Sequence, residues 1–379
     1  MIPSAEDQDS DLGPPVIEPP KTFKCGQCGA QLQFEPGLHS LKCSYCGHEN
    51  VIPQGEEDIR ELDFHAYLQE AGSHQELQER LTLKCQSCGA ESTADANITA
   101  QQCPFCDASI ISTAMSTKVI KPRSLLPFKI KDHEARQSYG LWIKGLWFAP
   151  GELRKRAATD FGIAGIYIPF WTYDAETLCF YTGQRGTYYY VTETRTVRNS
   201  QGKSVQQRVQ VRKIRWSFTM GRVWNSFNDV LIPSTHSLPD KLARDLEPWD
   251  LDNLVPYKDE YLSGFKAESY QVGLEEGFEA AKAVMDAAIR TAICRDIGGD
   301  EQRILTAKTQ HDKVTFKHVL LPVWLSAYRY KNKVYRFMVN ARTGEVQGER
   351  PWSWPKIAAA ATAAAVAGGV ILNLLKDIQ

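Results

Sequence analysis

The spacing of Cys25, Cys28, Cys43 and Cys46 recurs sixty residues later as Cys85, Cys88, Cys103 and Cys106. In both copies fourteen residues separate two Cys-x-x-Cys pairs, and the first pair is spelled Lys-Cys-x-x-Cys-Gly-Ala each time. Four thiols at such spacing suit one tetrahedral Zn²⁺ per module. The doubled spacing therefore predicts two small four-cysteine zinc ribbons, over residues 23–52 and 82–112, holding two zinc ions. Gly29, Gly47 and Gly89 each follow a pair, where φ > 0 relaxes the tight turn at little cost. Asp107 takes that place in the fourth turn and tolerates the left-handed region less well. Gln31–Phe34 and Ile98–Ala100 read as parts of small hairpins. A thirty-residue unit builds no core of its own, so metal must supply its folding free energy. Four thiolates around one zinc leave about −2 of formal charge. Lys24, Lys42 and Lys84 each precede a ligand and offset part of it. Two alternatives remain at this point: redox-active Cys-x-x-Cys pairs, and ligation cross-braced between the modules.

Outside the pairs only Cys179 and Cys294 remain of ten cysteines. The first 22 residues are acidic and Pro-rich, with neither the basic nor the apolar region of a signal peptide. They read as a disordered tail, and the thiols as reduced ligands rather than disulfides. The net charge of −1 hides a division: residues 1–112 carry −12 and residues 113–379 carry +11. Over residues 21–112 there are 6 basic and 13 acidic residues. A module that neutralises phosphates needs the opposite balance, so these ribbons favour a structural or protein-docking role over nucleic-acid binding. An anionic partner should prefer the second part of the chain.

Between the ribbons, residues 53–81 carry a broken helical pattern through Ile59, Leu62, Phe64, Leu68, Leu77 and Leu81, which predicts a helical linker. Residues 113–350 read as an α+β body. Helices are expected over His133–Trp147 and Pro150–Thr159, then strands through Ile163–Thr182. A long hairpin should follow, with arms Tyr188–Val197 and Val205–Phe218 and its tip at 199–203. Gly202-Lys203-Ser204 is not a phosphate-binding loop, because Val197 stands where the motif needs glycine and the segment joins two strands. Residues 182–222 carry nine basic residues against the single acid Glu193. That run can grip a nucleic-acid backbone, attract anionic lipid, or simply guard a solvated edge against aggregation.

Leu274–Arg295 is the clearest helix, with Leu274, Phe278, Ala281, Met285, Ala288 and Ala292 recurring at three- and four-residue steps and Cys294 read as a small buried hydrophobe. An antiparallel meander should follow over 314–348, turning at 331–333 and 342–344. Ile168-Pro169-Phe170-Trp171 is echoed by Leu321-Pro322-Val323-Trp324, and the helix-then-strands order recurs with it, which suggests two related halves. The scattered histidines form no metalloprotease pattern, and no nucleophile elbow or dinucleotide fingerprint is present. His318 reads as a core histidine. No catalytic residue is nominated.

Ile357–Leu375 runs nineteen residues without a charge, after Trp352 and Trp354 and between Arg350, Lys356 and Lys376. Its length, about 28 Å as a helix, predicts a membrane-anchor helix over 351–379 with the N-terminal bulk in the cytoplasm. Ala364/Gly368 and Ala365/Gly369 offer small-residue spacing for self-association through this helix. The alternative is an Ala-rich helix docked on the body.

With its paired ribbons, "YIPFWTYDAET", "IGGDEQRI", "VTFKHVLLPVW" and "VNARTGEVQGERPWSW", the chain resembles a family of bacterial tandem zinc-ribbon proteins with a C-terminal membrane segment. That resemblance spans about Phe23 to Lys356. Members are often catalogued as similar to primosomal protein N′ (replication factor Y), a superfamily II helicase. Here that second likeness is confined to the cysteine pairs, without an ATP-binding loop, so a motor activity is not implied. Some relatives look like partners of membrane-stress proteins, which implies recruitment to the bilayer. The combined expectation is a non-enzymatic, membrane-anchored adaptor in the inner membrane. It would dock protein partners through its ribbons and lie close to anionic lipid. The alternative is a nucleic-acid-binding accessory factor of replication using the basic hairpin 188–218.

Overall fold

The computed structural model describes residues 23–53, 59–70, 77–93, 100–106, 108–111, 115–120, 122–151, 162–198, 202–330 and 333–377. The acidic tail 1–22, the turn at Asp107, the body of the expected helix Pro150–Thr159 and residues 199–201 of the hairpin tip lie outside them. The first ribbon is a three-stranded antiparallel sheet of β1 (Gln33–Phe34), β2 (Ser40–Lys42) and β3 (Glu49–Val51). After it come β4 (Leu62–Asp63) and α1 (Phe64–Glu70). The second ribbon is built from β5 (Leu77–Lys84) with β6 (Glu91–Thr93), and β7 (Ala100–Gln102) with β8 (Ser109–Ile111). Strand β9 (Met115–Ile120) pairs with β5. Among its described residues the expected helical linker is helical only at α1: Leu77–Leu81 is strand, because β9 offers it a continuous antiparallel partner.

The body follows as β10 (Ser124–Leu125), α2 (Asp132–Gly145), β11 (Ala164–Arg198), β12 (Ser204–Pro233), α3 (Asp240–Asp245), β13 (Val255–Pro256), β14 (Lys266–Ala267), α4 (Leu274–Ile297), β15 (Glu301–Tyr330), β16 (Lys333–Asn340) and β17 (Val346–Gly348). Its strands join β4 in a nine-stranded sheet whose spine is β12-β11-β15-β10-β13. Where separate strands and a hairpin were expected, β11 is one continuous strand of 35 residues, paired with β12 from Phe170 to its end. A register shift between Tyr173 and Ala175 is absorbed without breaking it.

Two segments share one element order: β10-α2-β11-β12 and β14-α4-β15-β16. Their long strands lie side by side, with Pro169 opposite Leu320 and Pro322 opposite Tyr167. Each short strand crosses over, β10 running parallel to β15 and β14 parallel to β11.

The centre of the sheet is buried on both faces, which is why Ile166–Tyr173 reads as an unbroken run rather than an alternation. Ile166, Ile168 and Phe170 point to one face, where they meet Cys85, Cys103 and Phe105 of the second ribbon. Tyr167, Leu320 and Trp324 point to the other, into a core shared with Leu32, Phe34 and Leu41 of the first ribbon. The two ribbons therefore cover opposite faces of one sheet. Farther along, α4 lies on β11, β12 and β15, burying Phe278, Ala281, Met285, Ile289 and Ile293 against Tyr173, Cys179 and Phe316. The stripe continues through isoleucines, whereas Ala288 is exposed and Ala292 and Cys294 are only half-buried. Gly277 permits this approach: a Cβ there would stand 2.5 Å from Tyr173 Oη.

Beyond the Gly186–Trp216 pair the sheet narrows to β11 and β12 alone. Thr187–Arg198 and Ser204–Arg215 form a two-stranded arm, about 40 Å long at about 3.4 Å per residue.

The C-terminal helix α5 (Trp354–Asp377) forms, but it is not the expected anchor. Among the described residues no helix is long and apolar enough to cross a membrane. The expected single pass through the inner membrane over 351–379 is corrected accordingly. Its described side chains are mostly alanine and glycine, which carry little apolar surface per turn. Nor is the described middle of α5, residues 358–367, packed along the body. Its start is held by Ser353 N–H to Phe148 O (2.8 Å) and Lys356 Nζ to Ala149 O (2.7 Å), after which residues 358–367 are all exposed.

Candidate metal centres

The eight ribbon cysteines converge as two separate groups of four, each drawn from one module. Cross-braced ligation is therefore not the arrangement adopted. In the first ribbon Sγ of Cys25 is 3.6 Å from that of Cys46, and Cys28 is 3.6 Å from Cys43. In the second, Cys85 is 3.6 Å from Cys106 and Cys88 is 3.7 Å from Cys103. Within each group all four sulfurs lie within 4.8 Å of one another. A tetrahedron with metal–sulfur bonds of about 2.3 Å has edges of about 3.8 Å. Both groups are thus positioned to hold a metal ion, and the donor set fits zinc.

One backbone device builds all four knuckles. The amide of the first cysteine in each pair donates to the carbonyl five residues on: Cys25 to Ala30 (2.8 Å), Cys43 to His48 (2.9 Å), Cys85 to Ala90 (2.9 Å) and Cys103 to Ala108 (2.8 Å). Gly29, Gly47 and Gly89 adopt φ of 75°, 75° and 77°, and each donates its N–H back to the first cysteine's carbonyl. The Cys28 backbone N–H draws the Cys25 thiol down to about 6. A hydrogen bond with Cys103 draws Cys88 down to about 5. Asn50, which the spacing did not flag, braces the first site: its Oδ1 accepts from Gly26 N–H at 2.9 Å and its Nδ2 approaches Cys25 Sγ at 3.9 Å. The matching position in the second module is Ile110.

The sites differ in cover. In the first, Cys28 and Cys46 are exposed; in the second, Cys85, Cys103 and Cys106 are buried and Cys88 is half-buried. Fully buried Phe105 backs the second site, and Arg336 Nε donates to its carbonyl at 2.6 Å. Gln271 Nε2 donates to Gly89 O (3.2 Å) and Ser269 N–H to Glu91 O (3.1 Å), fixing this ribbon to the loop after β14. The first ribbon is seated by Phe34 N–H to Ser263 O (2.9 Å) and by Phe34 packing edge-on to Tyr261 and Phe265. Its outward side keeps Tyr45 82% and Val51 77% exposed.

A third group, Glu61, Asp174 and Asp229, also converges, at the shift in β11. Its cation is already present: Lys317 Nζ is 2.8 Å from Asp229 and 3.0 Å from Glu61. Burial alone would discharge this lysine, but its bonds to the two carboxylates outweigh that and keep it protonated. Burial raises Asp174 to about 6. The signal for this cluster was a lysine inside an apolar strand. It is legible only once Asp229 and Glu61, the latter 256 residues away, are known to face it. His318 is buried, its Nδ1 3.1 Å from Ile120 O and its ring tilted against Trp171.

The chain is 28% identical over 356 residues to the uncharacterized protein YdjG of Bacillus subtilis (strain 168), covering 93% of this chain and 96% of that one. No family profile matches the sequence. No solved structure matches it either.

Proposed function

We propose that this protein is a non-enzymatic adaptor, stapled by two zinc ions, that docks protein partners on the outer edge of its first ribbon. One observation carries the reading. The first ribbon spends its inner side on the body core, yet leaves Tyr45, Val51 and strand β3 facing outward at the end of its sheet. A short open strand beside an exposed aromatic suits a partner that adds a strand and seats a side chain. The second ribbon, more deeply covered, braces the scaffold. Membrane-stress proteins, which the family resemblance implies, are candidate partners for this edge.

Because both ribbons are built into the body, the test uses the full chain. Purified protein should carry about two equivalents of zinc by mass spectrometry of the metal. Tyr45→Ala with Val51→Arg should keep both ions and the melting temperature but lose the partner. Fewer than two tightly held ions, or undiminished capture by the double variant, refutes the reading. The replication-factor alternative draws on the basic arm. There, however, Arg212 already stacks over Tyr188 at 4.2 Å and Arg215 lies over Tyr189 at 5.3 Å, so two of the three consecutive tyrosine rings already carry a cation of the arm.

A further inference from the structure

Among the described residues, the stretch of the main sheet that α4 covers on one face carries no matching layer on the other. Where α4 covers β11, β12 and β15, it buries Cys179, Tyr181 and Val223. Side chains alternate along a strand, so their neighbours point the other way. Four cross-strand rows make up that outer face: Trp224–Leu178–Gln310, Arg222–Phe180–Lys308, Met220–Thr182–Thr306 and Phe218–Gln184–Arg303. The 2.7 Å contact between Thr182 Oγ1 and Thr306 Oγ1 confirms that these residues share a side. Phe180, Phe218, Met220 and Trp224, with Leu305 at the neighbouring register shift, are between 49% and 70% exposed. A monomer rarely leaves so many large apolar groups together in water.

We propose that this face is a docking surface for one acidic amphipathic helix of a partner protein. Shape supports a helix. Three strands about 4.8 Å apart and four rows about 6.8 Å apart make a strip of roughly 10 by 20 Å, the footprint of about four helical turns. A helix, α4, already packs on the reverse of the same strands, so a second helix here would complete a three-layer arrangement of helix, sheet and helix. Chemistry supports a protein. Trp, Phe, Met and Arg are the residues enriched in protein interface cores, whereas Met220 and Leu305 offer no ring for a base to stack on. Charge supports acid. The four rows hold Arg222, Arg303 and Lys308 and no carboxylate, while Glu176 with Asp312 and Glu301 stand in the rows beyond the two ends, so a second copy centred on this strip would bring like charges together. The inference rests on the adaptor reading but concerns a different surface from the ribbon edge.

The test uses the full zinc-loaded chain and a fluorescent 18-residue peptide. The peptide carries Leu or Phe at i, i+3, i+4 and i+7 spacing and Glu elsewhere; its partner peptide has Lys in place of Glu. The acidic peptide should bind with micromolar affinity and become helical by circular dichroism, and the Lys peptide should bind at least tenfold more weakly. Trp224→Ser with Met220→Ser, and separately Arg222→Glu with Lys308→Glu, should each weaken binding at least tenfold without moving the melting temperature. Tyr45→Ala should leave it unchanged, which separates this surface from the ribbon edge. Equal binding of the two peptides, or binding insensitive to both double variants, overturns the proposal. So does face-dependent binding of an 18-nucleotide oligo-dT, or of phosphatidylglycerol vesicles, without binding of the acidic peptide.

Discussion

Two exposed sulfurs distinguish the first metal site from the second, and exchange should follow cover. A chelator such as EDTA, with a colorimetric zinc indicator, should release metal in two phases of equal amplitude. Cys28→Ser should abolish the fast phase and Cys88→Ser the slow one. Lys317 is the other residue on which much turns. Lys317→Met leaves Glu61, Asp174 and Asp229 facing one another without their cation, which should cost about 3–5 kcal/mol in urea unfolding at neutral pH. The sign of its pH dependence follows from the carboxylates. Burial already raises Asp174, and without the lysine Glu61 loses a partner that lowers it, so the unfolded state binds fewer protons than the folded one. The variant's stability should then be best preserved at acidic pH and fall as pH rises through about 4 to 7. The two four-cysteine groups were legible from spacing alone, because four thiols that surround one tetrahedral ion come as local pairs at fixed intervals. The lysine cluster was not, because its members meet only through the pairing of β4 and β12 with strands distant in sequence.

Helix α4 was the most legible element, its apolar stripe being long and uninterrupted, although the stripe turns on Ile289, Ile293 and Ile297 where alanines were expected to carry it. Glycine is ordinarily a poor helix residue, and Gly277→Ala should raise intrinsic helicity. Here the new methyl would meet Tyr173 Oη and Trp171 Cδ1, at 2.5 and 2.9 Å. Steric overpacking outweighs propensity, and a net loss of about 1–3 kcal/mol is expected by denaturant unfolding. The arm behaves in the opposite way. Replacing 191–211 by Asn-Gly between the paired Tyr190 and Arg212 removes no core residue among the described ones. It should leave the melting temperature within about 2 °C. Sequence reading finds this hairpin but ends its strands early, since exposed Thr, Arg and Gln give no burial signal for the point where the third strand drops away. The C-terminal helix is legible too. Its charge-free length reads as hydrophobic strength, which a run with ten Ala or Gly among its nineteen residues provides only weakly.

At the scale of the molecule, each ribbon's core is continuous with a core of the body, one on each side of the sheet. Stripping both ions should therefore do more than melt two peripheral loops. Scanning calorimetry should show the main transition falling by roughly 10 °C or more, with loss of near-ultraviolet aromatic signal, as expected when metal binding is part of folding. Composition could announce two modules and a body, but not this seating. Alternation along Ile166–Tyr173 is hidden where both faces are buried, and the partner of each face is fixed only by the tertiary fold. The crossing of Phe34 onto Tyr261 and Phe265 also has a temporal meaning. During synthesis the first module leaves the ribosome more than two hundred residues before its seat exists. Through that interval a metal ion on its four thiols would be its main means of staying closed, so, on the zinc reading proposed above, metal shortage should damage nascent chains more than finished ones.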